Sequence, residues 1–256
     1  FQMYAANPHI MEEESFGETN QLIEFYDAYV SRQQESGIND RIYGLYKRLI
    51  KSGLNKNSNV LELGCGIGAM TYLLSRMVKT GIVEAVDISG ESINFARQRI
   101  KQPNIELIAG NILNYVPKNG RFDFITLFDI IEHVPIEEHP ALFKRVSGFA
   151  NEETMILINI PNPEYIEYAI KHRPDLLQVV DQPLPLGSIL NNLISNGLDL
   201  IFFETYSVWV EQDYQFFIAR KAKAFNEIKL STNRNSFSKA MKKLERELIK
   251  IKFPYR

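Results

Sequence analysis

The run Val60-Leu61-Glu62-Leu63-Gly64-Cys65-Gly66-Ile67-Gly68 places three glycines at alternate positions directly after a short apolar stretch. Glycines there let the backbone approach a ligand that a Cβ would obstruct. At the edge of a doubly wound sheet such a turn points to an adenosine-containing cofactor. Its spacing is G-x-G-x-G, whereas the fingerprint that aims a helix N-terminus at a pyrophosphate is G-x-G-x-x-G. Asp87 follows Gly64 by 23 positions and closes a second apolar run. A carboxylate at that point can accept both hydroxyls of a ribose. Further on, Asp129-Ile130-Ile131-Glu132-His133-Val134 spaces three ionisable groups at offsets of 3 and 4, one face of a helix. His133 is the candidate general base. Asp129, Glu132 and His133 acting as ligands of Mg²⁺ or another divalent ion is the less favoured alternative.

These residues need elements to hold them. Val60–Leu63, Ile82–Val86, Ile105–Ile108, Phe122–Phe128 and Thr154–Ile160 read as buried strands. Between them, apolar residues recur at helical spacing, as in Met70, Leu73, Leu74, Met77 and Val78, then over about 91–101 and about 137–149. Ser89 or Gly90 caps the second of these helices. Strands alternating with helices predict a parallel sheet covered on both faces. Leu198–Val208 and Asp213–Ala219 add an antiparallel pair. The expected architecture is α/β: a three-layer, doubly wound, seven-stranded sheet, mostly parallel with one antiparallel late strand. Two amphipathic helices precede it, one carrying Leu22, Phe25, Tyr26, Tyr29 and Val30, the other Ile38, Ile42, Leu45 and Leu49 and stopping at Gly53. Residues 161–185 hold five of the eleven prolines and are expected to form a long irregular insertion. The domains expected are N-terminal helices over 1–54, a main domain over 55–220 and a tail over 221–256.

Taken together, Glu62 to Gly68, Asp87, Gly110-Asn111-Ile112 and Phe122-Asp123 through His133 resemble the class I S-adenosylmethionine-dependent methyltransferases. The likeness covers about residues 55–220 and is greatest to small-molecule enzymes of the quinone-biosynthesis type. The resemblance implies that Glu62 lies near the methionine amino group, that Gly64, Cys65, Gly66 and Gly68 wrap the methionine portion, and that Asp87 holds the ribose. It further implies that Ile88 packs on adenine, that Asn111 and Ile112 lie beside the base, and that Asp129 stands by the methyl-transfer point. Asn111 departs from the pattern, where aspartate is usual; its amide oxygen can still accept from the adenine amino group. The implied cofactor is S-adenosylmethionine, and the reaction is methyl transfer to an O or N atom of a small-molecule acceptor. Phe16, Tyr26 and Tyr29 are candidates to wall the acceptor pocket. His172 and Arg173, beside Lys171, are candidates to bind a carboxylate or phosphate on the acceptor.

Composition narrows the alternatives. The chain has 256 residues, 45% apolar and 23% charged, enough for one large α/β domain. A formal net charge of −2 argues against a dedicated nucleic-acid binder. A lone cysteine, Cys65, excludes an internal disulfide and a zinc-thiolate cluster. No apolar run approaches the ~18 residues of a membrane span, and residues 3–18 show no leader-like apolar stretch, so a soluble, cytoplasmic protein is expected. Phe1 and Gln2 before Met3 read as a tag remnant. Residues 220–256 carry twelve Lys and Arg against three Asp and Glu, a basic tail on an acidic body. Phe237, Met241, Leu244, Leu248 and Ile251 form one face of its helix, suited to packing, homo-oligomer formation or a partner protein. The competing functions are methylation of a macromolecule, protein or RNA, and a non-catalytic scaffold that binds S-adenosylmethionine.

Overall fold

A computed structural model describes residues 23–28, 30–31, 33–178, 180–224 and 236–252. Phe1, Gln2, Phe16, Leu22 and Tyr29 lie outside them. The chain divides into two compact units after Ala222.

In the first unit, seven strands form one sheet: β1 (Val60–Leu63), β2 (Val83–Asp87), β3 (Ile105–Ala109), β4 (Phe124–Phe128), β5 (Met155–Pro161), β6 (Leu198–Tyr206) and β7 (Tyr214–Lys221). Their order is β3-β2-β1-β4-β5-β7-β6. All pairs from β3 through β5 are parallel, and β7 runs antiparallel to both neighbours. The strand order reverses between β1 and β4, so the carboxyl ends of β1, β2 and β4 open one crevice. The expected doubly wound sheet with one antiparallel late strand is the fold observed.

Alternate residues along the strands feed two cores. Val60, Phe124, Leu157 and Phe216 pack with Leu45 and Leu49 of helix α1 (Asp40–Lys51) and Leu74 of α2 (Ala69–Met77). Leu61, Ile125, Ile156 and Phe217 pack instead with Leu142 and Phe143 of α4 (His139–Phe149) and Ile189 and Leu193 of α6 (Leu186–Ser195). Helix α3 (Gly90–Arg99) is capped by Ser89, which accepts from the Ser92 amide. Helical residues 23–28, 30–31 and 33–36 precede α1.

The proline-rich segment differs from expectation. Instead of an irregular insertion, residues 163–172 form α5 (Pro163–His172), followed by a 3₁₀ turn over Pro174–Leu176. Pro163 sits in the first turn, where a missing N–H costs nothing, and Asn162 caps the helix through the Glu164 amide. Pro185 immediately precedes α6. The prolines start helices here. The second unit contains α7 (Ser236–Lys252), on which Met241, Leu244 and Leu248 are exposed. No helix among the described residues is long and apolar enough to cross a membrane.

Candidate functional site

A cleft of about 560 Å³ opens at the carboxyl ends of β1, β2 and β4. Gly64 and Gly66 line its floor; with Gly68 just beyond, they have φ of 79°, 52° and 79°, the left-handed region that favours glycine. A Cβ on Gly64 would stand 2.6 Å from the Ile130 side chain, and one on Gly66 would meet the Gln33 amide at 3.1 Å. The turn therefore leaves a backbone-lined cradle between the N-terminal helical residues and the tip of β4. Asp87 ends β2 beside it. Its carboxylate accepts from the Gly66 amide at 2.6 Å and the Ser89 amide at 3.0 Å. Burial raises its pKa against those two bonds. Glu62 is buried on β1 and accepts from Thr71 Oγ1 at 2.7 Å. Burial pushes its pKa up to about 8. Such a group holds a proton at neutral pH and ionises when a cation is placed beside it.

The other end of the cleft is built from side chains. Asp129, at the tip of β4, has φ 56°, uncommon for a residue with a Cβ. Its carboxylate accepts from Asn159 Nδ2 at 2.8 Å and pairs with Arg41 Nε at 3.1 Å. Arg41 also donates to the Tyr214 hydroxyl at 2.9 Å, and its guanidinium lies 5.5 Å from the Trp209 ring centroid. The Tyr206 hydroxyl donates to Asn159 Oδ1 at 2.7 Å, extending the network to β6. Glu132 and His133 occupy a 3₁₀ turn over Ile131–His133. Glu132 is buried, its Oε2 makes no hydrogen bond, and burial lifts its pKa to about 8. For His133, burial works toward a lower pKa, but Glu132 and Asp181 outweigh it and raise the value to about 9.

Residues 60–152 match the family model described as "Methyltransferase domain". The sequence is 31% identical over 87 residues to the malonyl-[acyl-carrier protein] O-methyltransferase of Priestia megaterium, covering 34% of this chain and 30% of that protein. It is likewise 31% identical over 86 residues to the mitochondrial ubiquinone biosynthesis O-methyltransferase of Candida albicans, covering 32% of this chain and 26% of that one. The matches thus span between a quarter and a third of the length of these curated relatives. Among solved structures, the magnesium protoporphyrin IX methyltransferase of Synechocystis PCC 6803 with bound SAH superposes with a TM-score of 0.64 at 15% identity, over 80% of this chain and 99% of that one. Residues 60–152 thus resemble a methyltransferase domain, and the sheet shares the fold of that structure.

Of the expected site residues, Glu62, Gly64, Cys65, Gly66, Asp87, Asp129, His133 and Tyr26 all line the cleft. Several expected site residues do not. Gly68 caps α2, its Cβ position blocked by Ala96 at 2.9 Å. Ile88, Asn111 and Ile112 stand outside the lining. Asn111 Oδ1 accepts from the Leu113 amide at 2.9 Å, a local turn bond, while Ile112 is buried in the core. His172 and Arg173 are exposed at the end of α5, with Tyr168 against the His172 ring and Asp175 paired to Arg173. Their place over the cleft is taken by Leu176, Leu177, Gln178 and Asp181, further along the same segment. The alternative of Asp129, Glu132 and His133 as metal ligands is not supported. Asp129 turns to Arg41 and Asn159, and among the described residues no three such groups are arranged to hold an ion. Cys65 is buried, and burial pushes its thiol pKa well up, so it is no nucleophile at neutral pH. Arg41, Gln33, Trp209, Tyr214 and Asp181 line the cleft without a sequence motif to announce them.

Proposed function

We propose that the chain transfers a methyl group from S-adenosylmethionine to a hydroxyl or carboxyl oxygen of a small-molecule acceptor. The observation that carries this reading is the cradle itself: a glycine turn with left-handed backbone beside two buried carboxyl groups, Asp87 and Glu62. The residues suit the cofactor. Asp87 offers its carboxylate to ribose hydroxyls, Glu62 can ionise against the methionine ammonium, and buried Gln33 Oε1 has no hydrogen-bond partner and is free to accept one. When bound, the cofactor supplies an electrophilic methyl on a sulfonium. The chain aligns the acceptor, excludes water and removes its proton.

His133, in its neutral form, is the residue for that proton, so transfer is expected to rise with pH toward about 9. Amines can be methylated once deprotonated in solution, whereas hydroxyls need a base in place. A cleft-lining histidine beside two carboxyl groups therefore favours oxygen over nitrogen. Tyr26, Trp209 and Tyr214 give the acceptor aromatic walls, and the Arg41–Asp129 pair gives it a polar end. The O-methyltransferase names of the matched relatives agree with this choice. Titration calorimetry with S-adenosylmethionine and S-adenosylhomocysteine tests the cofactor, and transfer of labelled methyl to phenolic and carboxylic acceptors tests the reaction. One binding equivalent and label on oxygen are expected. Absence of binding overturns the proposal.

A further inference from the structure

We infer that Asp181 is a positioning residue for His133, holding its ring so that Nε2 is the proton-accepting nitrogen. This inference rests on the reading of His133 as the base. The geometry supplies the argument. His133 Nδ1 lies 2.5 Å from the Val180 carbonyl oxygen and 3.2 Å from Asp181 Oδ1. A carbonyl oxygen only accepts, so Nδ1 must carry the hydrogen. Asp181 shares that hydrogen, which leaves Nε2 bare in the neutral ring. Nε2 is 3.9 Å from Glu132 Oε1, too far for a hydrogen bond. The only described acceptors that reach the ring are on the Nδ1 side.

The strap that carries Asp181 is itself clamped to the turn that carries His133. The Gln182 amide donates to the Glu132 carbonyl at 3.1 Å, and Gln182 Nε2 donates to the Val134 carbonyl at 2.7 Å. Asp181 is buried to the same degree as His133, with side-chain exposures of 8% and 7%. Water therefore screens the pair poorly. The groups facing the imidazole are Glu132 on its own turn, Asp181 on the strap, Asp129 at the tip of β4 and Tyr26, whose ring centroid is 6.3 Å away. Three of these four are carboxyl groups. Of the three carboxyl groups only Asp181 reaches Nδ1, so with the Val180 carbonyl it fixes the tautomer, and as a carboxylate it also favours the charge.

Nitrogen-15 spectra of the full chain, titrated from acid to alkaline pH, test this directly, with His133 assigned by its loss in His133→Gln. The neutral ring is expected to carry its proton on Nδ1, and the midpoint is expected well above the ordinary histidine value. Asp181→Asn is expected to lower that midpoint by about one pH unit or more, and Asp181→Glu to restore part of the shift. A neutral ring protonated on Nε2 in the wild type overturns the inference, and this needs no variant to fold. An unchanged midpoint in folded Asp181→Asn overturns it equally. Calorimetry with S-adenosylhomocysteine on the same samples tests the methyl-transfer reading separately: failure to bind sinks that reading, while the titration alone decides the role of Asp181.

Discussion

The two ends of the cleft are made differently. At the β1–β2 end the shape comes from backbone, three glycines in left-handed conformation, and the chemistry from two carboxyl groups on adjacent strands. At the β4–β5 end the shape comes from side chains of α1, the strap at 180–182, β4 and the β6–β7 turn, joined by an Arg41–Asp129–Asn159–Tyr206 network. The first design fits one ligand that does not change. The second can vary residue by residue while the sheet stays the same. That division is what a domain with a common cofactor and a particular acceptor requires.

Substitutions can break this contrast. The largest effect is expected from His133→Ala, which should lower methyl transfer about 1000-fold, within the usual contribution of a general base, while leaving S-adenosylhomocysteine affinity unchanged. Parallel loss of both would show that the ends are not separable. Gly64→Ala should do the opposite. Its Cβ would collide with Ile130 and sit at φ 79°, and cofactor affinity should fall about 100-fold at the cost of roughly 1–3 kcal/mol of strain. A smaller effect concerns pH. Glu62 holds its proton up to about 8, so binding of an ammonium should release it, and affinity should rise as pH increases from 6 toward 8. Glu62→Gln should flatten that dependence in calorimetric titrations. The sign is opposite for stability. The folded chain keeps a proton that the unfolded chain loses above its ordinary carboxyl value, so Glu62 lowers stability progressively between pH 4.5 and about 8. The smallest change is expected from Trp209→Ala, which removes a ring 5.5 Å from the Arg41 guanidinium. Acceptor KM should rise a few-fold, as for a partly exposed cation–π contact, with cofactor affinity unaffected.

The same contrast explains what the sequence revealed. Alternating apolar runs gave away the sheet because a strand buried on both faces, such as Val60–Leu63, has no room for polar residues except a paired one like Glu62. The glycine turn and Asp87 were legible because left-handed backbone and a strand-end carboxylate demand particular residue types at particular spacings. Arg41, Trp209 and Asp181 were not, because they meet only after α1, the β6–β7 turn and the strap converge from distant parts of the chain. The helix α6 did leave a signal, Leu186, Ile189 and Leu193 at helical spacing, hidden behind prolines that read as breakers but act as starts. His172 and Arg173 misled for a related reason: charge in a loop near the cleft says nothing of direction, and both side chains end outside it.

The β1 turn and Asp87 are together proposed to hold an adenosyl cofactor. Isothermal calorimetry with S-adenosylhomocysteine on the wild type and on Asp87→Ala addresses this most directly. One equivalent should bind to the wild type, and the substitution should weaken it about 100-fold, the loss of two hydrogen bonds to a charged acceptor. Equal affinity in the two proteins would contradict the account.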